Sequence, residues 1–190
     1  MSELRRVVVT GLGLVTPVGL DVEETWDALI EGRSGGAPIT QFDASDQSVR
    51  FACEVKGFDP EQYMDRKEVR RADRFLHLAM GAAHQAVEQA EIQSAVESVS
   101  PERFGVIVGS GIGGLTTMET QHAKLLSQGP GRVSPFFIPM FIGDMAAGMI
   151  SMKYGAQGPN YATVSACASS GHAVGAASRS IRTGESDLMI

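Results

Sequence analysis

The sequence predicts an α/β fold, and three observations predict it. Apolar runs short enough to be strands alternate along the chain with longer segments of helical periodicity. Two of those runs, in "VVVTGLG" and "FGVIVGSG", empty into glycine-rich loops. The composition, 43% hydrophobic and 20% charged over 190 residues, is that of a globular protein able to build a core in one or two domains.

Taken in order, Val7 to Leu12 is the first expected strand. Asp21 then caps a helix, Glu24 completes a capping box and Gly32 ends it. Residues 33–58 read as loop with a short strand over Phe51 to Val55, and Asp59-Pro60 opens a helical stretch. From Ala72, "ADRFLHLAMGAAHQAVEQA" predicts a long amphipathic helix. Phe104 to Val108 is the second strand, Leu115 to Ser127 a helix and "GPGRVSP" an irregular loop. A helix is expected over Ile138 to Tyr154, with Met145, Met149 and Met152 on one face as core filler. Asn160 to Ser165 is the third strand, Ala168 to Thr183 a helix and "SDLMI" the start of a fourth strand.

Charge and cysteine content narrow the function classes. A formal charge of −6 argues against general nucleic-acid binding, which needs clustered cations without compensating acids. Two distant cysteines do not make a disulfide framework, and a reducing, cytoplasmic setting fits them. The apolar run after Arg5 and Arg6 is broken by glycines and Pro17 and lacks a small-x-small cleavage pattern, so it is not read as a signal peptide. No apolar run is long enough for a membrane span.

Several motifs have plainer explanations than function. "GSGIGG", Gly109 to Gly114, matches a dinucleotide fingerprint, but the acidic residue expected about twenty positions later is missing. Its glycines are better explained by tight turns and close backbone approach. His77, His84 and His122 have no metal-ligand spacing, so no metal or cofactor site is expected. Cys53 in "RFACEV" reads as a small apolar strand residue.

Cys167 in "VSACASSGHAVG" is different, because it sits where a strand is expected to turn into a helix. Free amides and the helix dipole at such a junction favour a thiolate and can hold an oxyanion. Nucleophile and structural thiol both remain open on these features alone. His172, five residues on, lies about 140° around a helix and is poorly placed as a base for Cys167. The helix itself is built of Ala, Ser and Gly, as expected where another backbone comes close, although each interior glycine costs about 1 kcal/mol relative to Ala.

Together, "RRVVVTGLGLVTPVG", "FDAS", "DRKEVRRADRF", "GSGIGG", "SPFFIP", "YGAQGPN" and "SACASSGHAVG" resemble the elongating β-ketoacyl-acyl carrier protein synthases along the whole chain. The resemblance implies a thiolase-like fold, here one half of a five-layered αβαβα architecture. It implies that residues 1–190 are the N-terminal half, truncated or split from a C-terminal half, and inactive alone. The expected reaction is decarboxylative Claisen condensation of acyl-acyl carrier protein with malonyl-acyl carrier protein in fatty acid elongation. Cys167 would be the acyl-accepting nucleophile. Two histidines and a lysine assist the second half-reaction in the family, and none is matched here.

The resemblance further implies an acyl pocket involving Ile112 and, across a homodimer interface, Phe137. Lys67, Arg70 and Arg71 would meet the acidic acyl carrier protein, although Glu68 and Asp73 interrupt that cluster and a solvated helix face with i,i+4 pairs is the plain alternative. Relatives commonly carry Asn where Asp144 stands, and a carboxylate there needs a partner if buried. Competing readings are a polyketide ketosynthase, a thiolase working on coenzyme A, a non-catalytic partner subunit, which would lack the cysteine, and a nucleotide-binding module.

Overall fold

The computed structural model describes residues 5–92 and 98–190. Its helices are α1 (Val22–Ile30), α2 (Arg66–Val69), α3 (Arg74–Gln89), α4 (Leu115–Gln128), α5 (Phe137–Phe141), α6 (Met145–Tyr154) and α7 (Ser169–Thr183). The strands are β1 (Ala37–Pro38), β2 (Phe51–Ala52), β3 (Phe104–Gly109), β4 (Asn160–Thr163) and β5 (Leu188–Met189). β1 and β2 form a small antiparallel pair. The central sheet has the order β4-β3-β5, and both pairings are parallel.

β3 lies at the centre because it is apolar on both faces. Val106 is fully buried against α3 and α6, in a core with Leu76, Met80, Ala83, Ala147 and Ile150. Helix α7 packs along β3, β4 and β5, and Ala173 is buried. Parallel strands need such helical cover, since their crossovers place helices on the sheet.

Local chemistry fixes the helix ends. Asp21 Oδ1 accepts the Glu24 amide at 2.8 Å, and Glu24 Oε2 accepts the Leu20 amide at 2.9 Å, so the expected capping box closes one residue early. After Glu31, Gly32 takes φ +68° and α1 stops. Asp187 ties the start of β5 to the rest through Arg103, at 2.5 and 2.7 Å, and through Arg5 at 2.5 Å. Arg103 first, and then Arg5, holds the Asp187 carboxyl well below the usual carboxylate range.

Four expected elements differ. Val7 to Leu12 forms no strand: Leu12 and Leu14 donate their amides to the side chains of Gln89 and Gln85, at 2.6 and 3.0 Å. Val7–Gly11 and Leu188–Ile190 line one groove of about 410 Å³, and among the described residues no ladder joins the two segments. Gly13 instead lets the segment meet α3 backbone to backbone, since a Cβ there would stand 1.9 Å from the Ala82 carbonyl oxygen. The strand expected over Phe51 to Val55 is only Phe51–Ala52, and Cys53 lies beyond it and exposed rather than inside a strand.

The helix expected over Ile138 to Tyr154 is two helices. Ile142 is extended (ψ 136°), and the Phe141 carbonyl accepts the Gly114 amide at 2.8 Å, a tertiary contact at the point where the helix breaks. Met145 and Met149 pack on the core, but Met152 is 71% exposed, so the methionine face is only partly filler. Asn160 to Ser165 shortens to β4, because the Thr163 hydroxyl already bonds the Ser169 carbonyl (2.7 Å) and turns the chain towards α7.

Candidate functional site

Cys167 occupies a single 3-10 turn, Ala166–Ala168, between β4 and α7, and is exposed. Ala166, immediately before it, has φ +51°, a left-handed conformation that costs a non-glycine residue about 1 kcal/mol. Side chains hold that turn. The Ser169 hydroxyl, buried, donates to the Ala166 carbonyl at 2.7 Å and accepts the Ser165 amide at 2.9 Å. The Ser165 hydroxyl bonds His172 Nδ1 at 2.6 Å. His172 is thus engaged with the residue that precedes the turn and supports the elbow from outside. The turn's first donor is Ala168, whose N–H bonds the Ser165 carbonyl at 3.1 Å, so the Cys167 amide precedes the hydrogen-bonded part of the turn. An electron-rich oxygen above Cys167 would face that amide and the start of a fifteen-residue helix.

The "GSGIGG" loop runs beside this elbow. A Cβ on Gly109 would lie 2.4 Å from the Ser170 amide nitrogen, and one on Gly111 would be 3.9 Å from the Ala166 carbonyl oxygen. Gly113, at φ +81°, brings the loop onto the break between α5 and α6. The glycines therefore serve chain packing, as the sequence suggests. Ile112 projects at the tip of the loop, 65% exposed. Phe137, half-buried at the start of α5, stacks on Phe141 with ring centroids 5.7 Å apart. Asp144 is exposed, so its carboxylate needs no buried partner.

The basic cluster sorts itself by contact. Glu68 Oε2 caps α2 by accepting the Asp65 amide at 3.1 Å. Asp73 is buried and accepts both the amide and the hydroxyl of Thr117, at 2.8 and 2.6 Å. Neither acid that interrupts the cluster in sequence pairs with its cations. Arg66 reaches Glu61 at 3.7 Å, and Arg74 lies over the Phe58 ring at 5.1 Å. Lys67, Arg70 and Arg71 are exposed and form no salt bridge among the described residues, which does not match a face of i,i+4 pairs.

Two of the remaining histidines are absorbed by structure. His77 Nε2 donates to the Val69 carbonyl at 3.0 Å, and burial pushes its pKa below the usual value. His84 bridges Tyr154 (3.3 Å) and Glu88 (3.2 Å). Among the described residues no group of three His, Cys, Asp or Glu side chains is arranged to hold a metal, and no helix is long and apolar enough to cross a membrane.

Residues 4–190 match the model of the β-ketoacyl synthase N-terminal domain. The chain belongs to the β-ketoacyl synthase family. It is 48% identical over 188 residues to the 3-oxoacyl-[acyl-carrier-protein] synthase 2 of Synechocystis, covering 99% of this chain and 45% of that one. The synthase of the same name from Staphylococcus aureus strain COL is 45% identical over 190 residues, with 100% and 45% covered. Among solved structures, the ishigamide ketosynthase/chain length factor superposes with a TM-score of 0.87 at 28% identity, covering 98% of this chain and 46% of the other. The fold is accordingly thiolase-like. This β-ketoacyl synthase chain spans about 45% of the length of the curated relatives it matches.

Sequence reasoning missed the supports of this site. Nothing in the sequence marks Asp73 as the partner of Thr117, 44 residues away. Ser165, Ser169 and His172 lie within seven residues of one another and were legible as polar residues at a helix start, but not as a staple.

Proposed function

We propose that these residues form the acyl-accepting part of a β-ketoacyl-acyl carrier protein synthase that elongates fatty acids, and that 1–190 is the N-terminal half of its catalytic fold. The observation that carries the reading is an exposed cysteine on a stapled strand-to-helix elbow, in a chain 48% identical to a 3-oxoacyl-[acyl-carrier-protein] synthase 2. Cys167 Sγ attacks the thioester carbonyl of the acyl carrier, and the carrier sulfur leaves and takes up a proton. Sulfur replaces sulfur, so the acyl group stays activated. The Cys167 amide donates to the oxyanion of that step. In the second step malonyl-carrier loses carbon dioxide, its carbanion attacks the acyl carbon, and Cys167 leaves to regain its proton.

Ile112 and Phe137 line the acyl channel in this reading, Phe137 across the interface of a cytoplasmic homodimer. Lys67, Arg70 and Arg71 draw the acidic carrier protein, which suits exposed cations that form no salt bridge among the described residues on a chain of net charge −6. Identity of 48% to a 3-oxoacyl-[acyl-carrier-protein] synthase 2 against 28% to the ishigamide ketosynthase/chain length factor favours fatty acid elongation over polyketide assembly.

The test uses the full-length protein, offered acyl-carrier protein and acyl-coenzyme A in parallel. A thioester trapped on Cys167 from the carrier substrate, its absence in Cys167→Ala, and a product two carbons longer with malonyl-carrier are the expected results. Acylation from coenzyme A alone would favour a thiolase. Loading without condensation would point to a partner subunit.

A further inference from the structure

The docking cluster and the two segments assigned to the acyl pocket are joined by two residues two positions apart, Arg71 and Asp73. Arg71 places its guanidinium carbon 4.4 Å from the centroid of the Phe136 ring. Asp73 holds Thr117 at the start of α4, which the loop bearing Ile112 leads into. The other end of the system is anchored too: Gln121, buried on α4, accepts the Ser134 amide at 2.8 Å. Ser134 in turn accepts the amides of Phe136, through its hydroxyl at 3.1 Å, and of Phe137, through its carbonyl at 3.0 Å. The turn that sets Phe137 is therefore fixed from below by Gln121 and clamped from above by Arg71.

We propose that Arg71 is a specificity-determining residue as well as a docking charge, and that its clamp on Phe136 couples carrier engagement to the acyl lengths the pocket accepts. The proposal rests on the carrier-dependent synthase reading. A carboxylate of the carrier competes with the aromatic face for one guanidinium, because the same planar group stacks on rings and forks onto carboxylates. Docking draws Arg71 away, Phe136 loses its cover, and the 134–137 turn is free to move Phe137. Among the described residues neither Lys67 nor Arg70 makes an aromatic contact, so they act through charge alone.

The experiment is a double-mutant cycle in the full-length protein with Arg71→Gln, Phe136→Leu and both together. Carrier affinity is measured for each, with the ratio of palmitoyl to octanoyl transfer to Cys167 from carrier protein and, where no carrier draws Arg71 away, from acyl-coenzyme A. Loss of an exposed stack of this kind should change the carrier-free ratio about two- to fivefold in either single variant, bringing it towards the ratio wild type shows with the carrier. The double variant should match the singles rather than multiply them. Affinity should fall only where Arg71 is changed. Arg71→Lys, which keeps charge but loses the planar stack, should shift the carrier-free ratio while retaining more affinity than Arg71→Gln. An unchanged carrier-free ratio in Phe136→Leu, or effects that multiply, overturns the coupling while wild-type transfer leaves the synthase reading standing. A wild type that accepts no acyl group from the carrier overturns both.

Discussion

Helices α3 and α7 both set Ala, Gly and His among larger residues, yet small residues mean opposite things on them. In α3, Gly81 is small because the Phe58 ring lies against it: a Cβ would stand 2.7 Å from that ring. Leu76 and Val87 on the same helix are fully buried. In α7, a Cβ on Gly171 or Gly175 would meet nothing within 4 Å among the described residues beyond the adjoining helix backbone, and Val174 is 70% exposed. The chain completes the packing of the sheet on the α3 and α6 side. On the other side α7 shields the strands with Ala173 and leaves its outer face bare. Small side chains thus report close packing only where the structure supplies the neighbour.

Emptying the finished side tests the difference between the two helices most severely. Leu76→Ala should cost about 3–4 kcal/mol, the usual price of a large cavity at a site that cannot collapse, read from the denaturant midpoint. A loss below about 1 kcal/mol would mean that the α3 side is as loosely packed as the α7 side. Asp73→Ala should come next, at about 2 kcal/mol, because it strands the buried Thr117 amide and hydroxyl. Asp73→Asn, which keeps an acceptor, should recover part of that loss.

Gly175→Ala sharpens the comparison by its sign. In the 190-residue chain the added methyl meets open space, so helix propensity should stabilise it by about 0.5–1 kcal/mol. Destabilisation of the 190-residue chain would show that the face is covered, by a second copy or otherwise.

The smallest effect is expected at the seam between the sides, where Asp187 joins Arg103 and Arg5. Its carboxyl titrates below the ordinary range in the folded chain, so the unfolded chain binds the proton first as pH falls. The stabilisation is present above about pH 4, the unfolded value, and is lost on acidification below it. Asp187→Asn should flatten the acid limb of a stability–pH curve and leave its alkaline side unchanged in shape. A variant with the same acid limb as wild type would assign that limb to other carboxylates, such as Glu54, whose bonds to Thr40 also lower its pKa.

By itself the sequence determined what neighbouring residues decide. Periodicity and caps placed α1, α3, α4 and β3 close to their observed bounds, because helix ends and apolar faces depend on residues a few positions apart. It also put Cys167 at the junction of β4 and α7, since the change from a short strand-like run to Ala, Ser and Gly is local. Tertiary structure decided everything that needs a distant partner. Val7 to Leu12 carries a strand's residues but is no strand, and the Leu12 amide goes to the Gln89 side chain of α3 instead of to a ladder. The helix break at Ile142 depends on a carbonyl taken by Gly114, 27 positions before Phe141 in the chain. Which cations stay free depended on Asp73 turning to Thr117 and Glu68 to the α2 cap, and the link from Arg71 to Phe136 spans 65 residues. Such contacts follow from how the elements pack, which no local pattern of residues encodes.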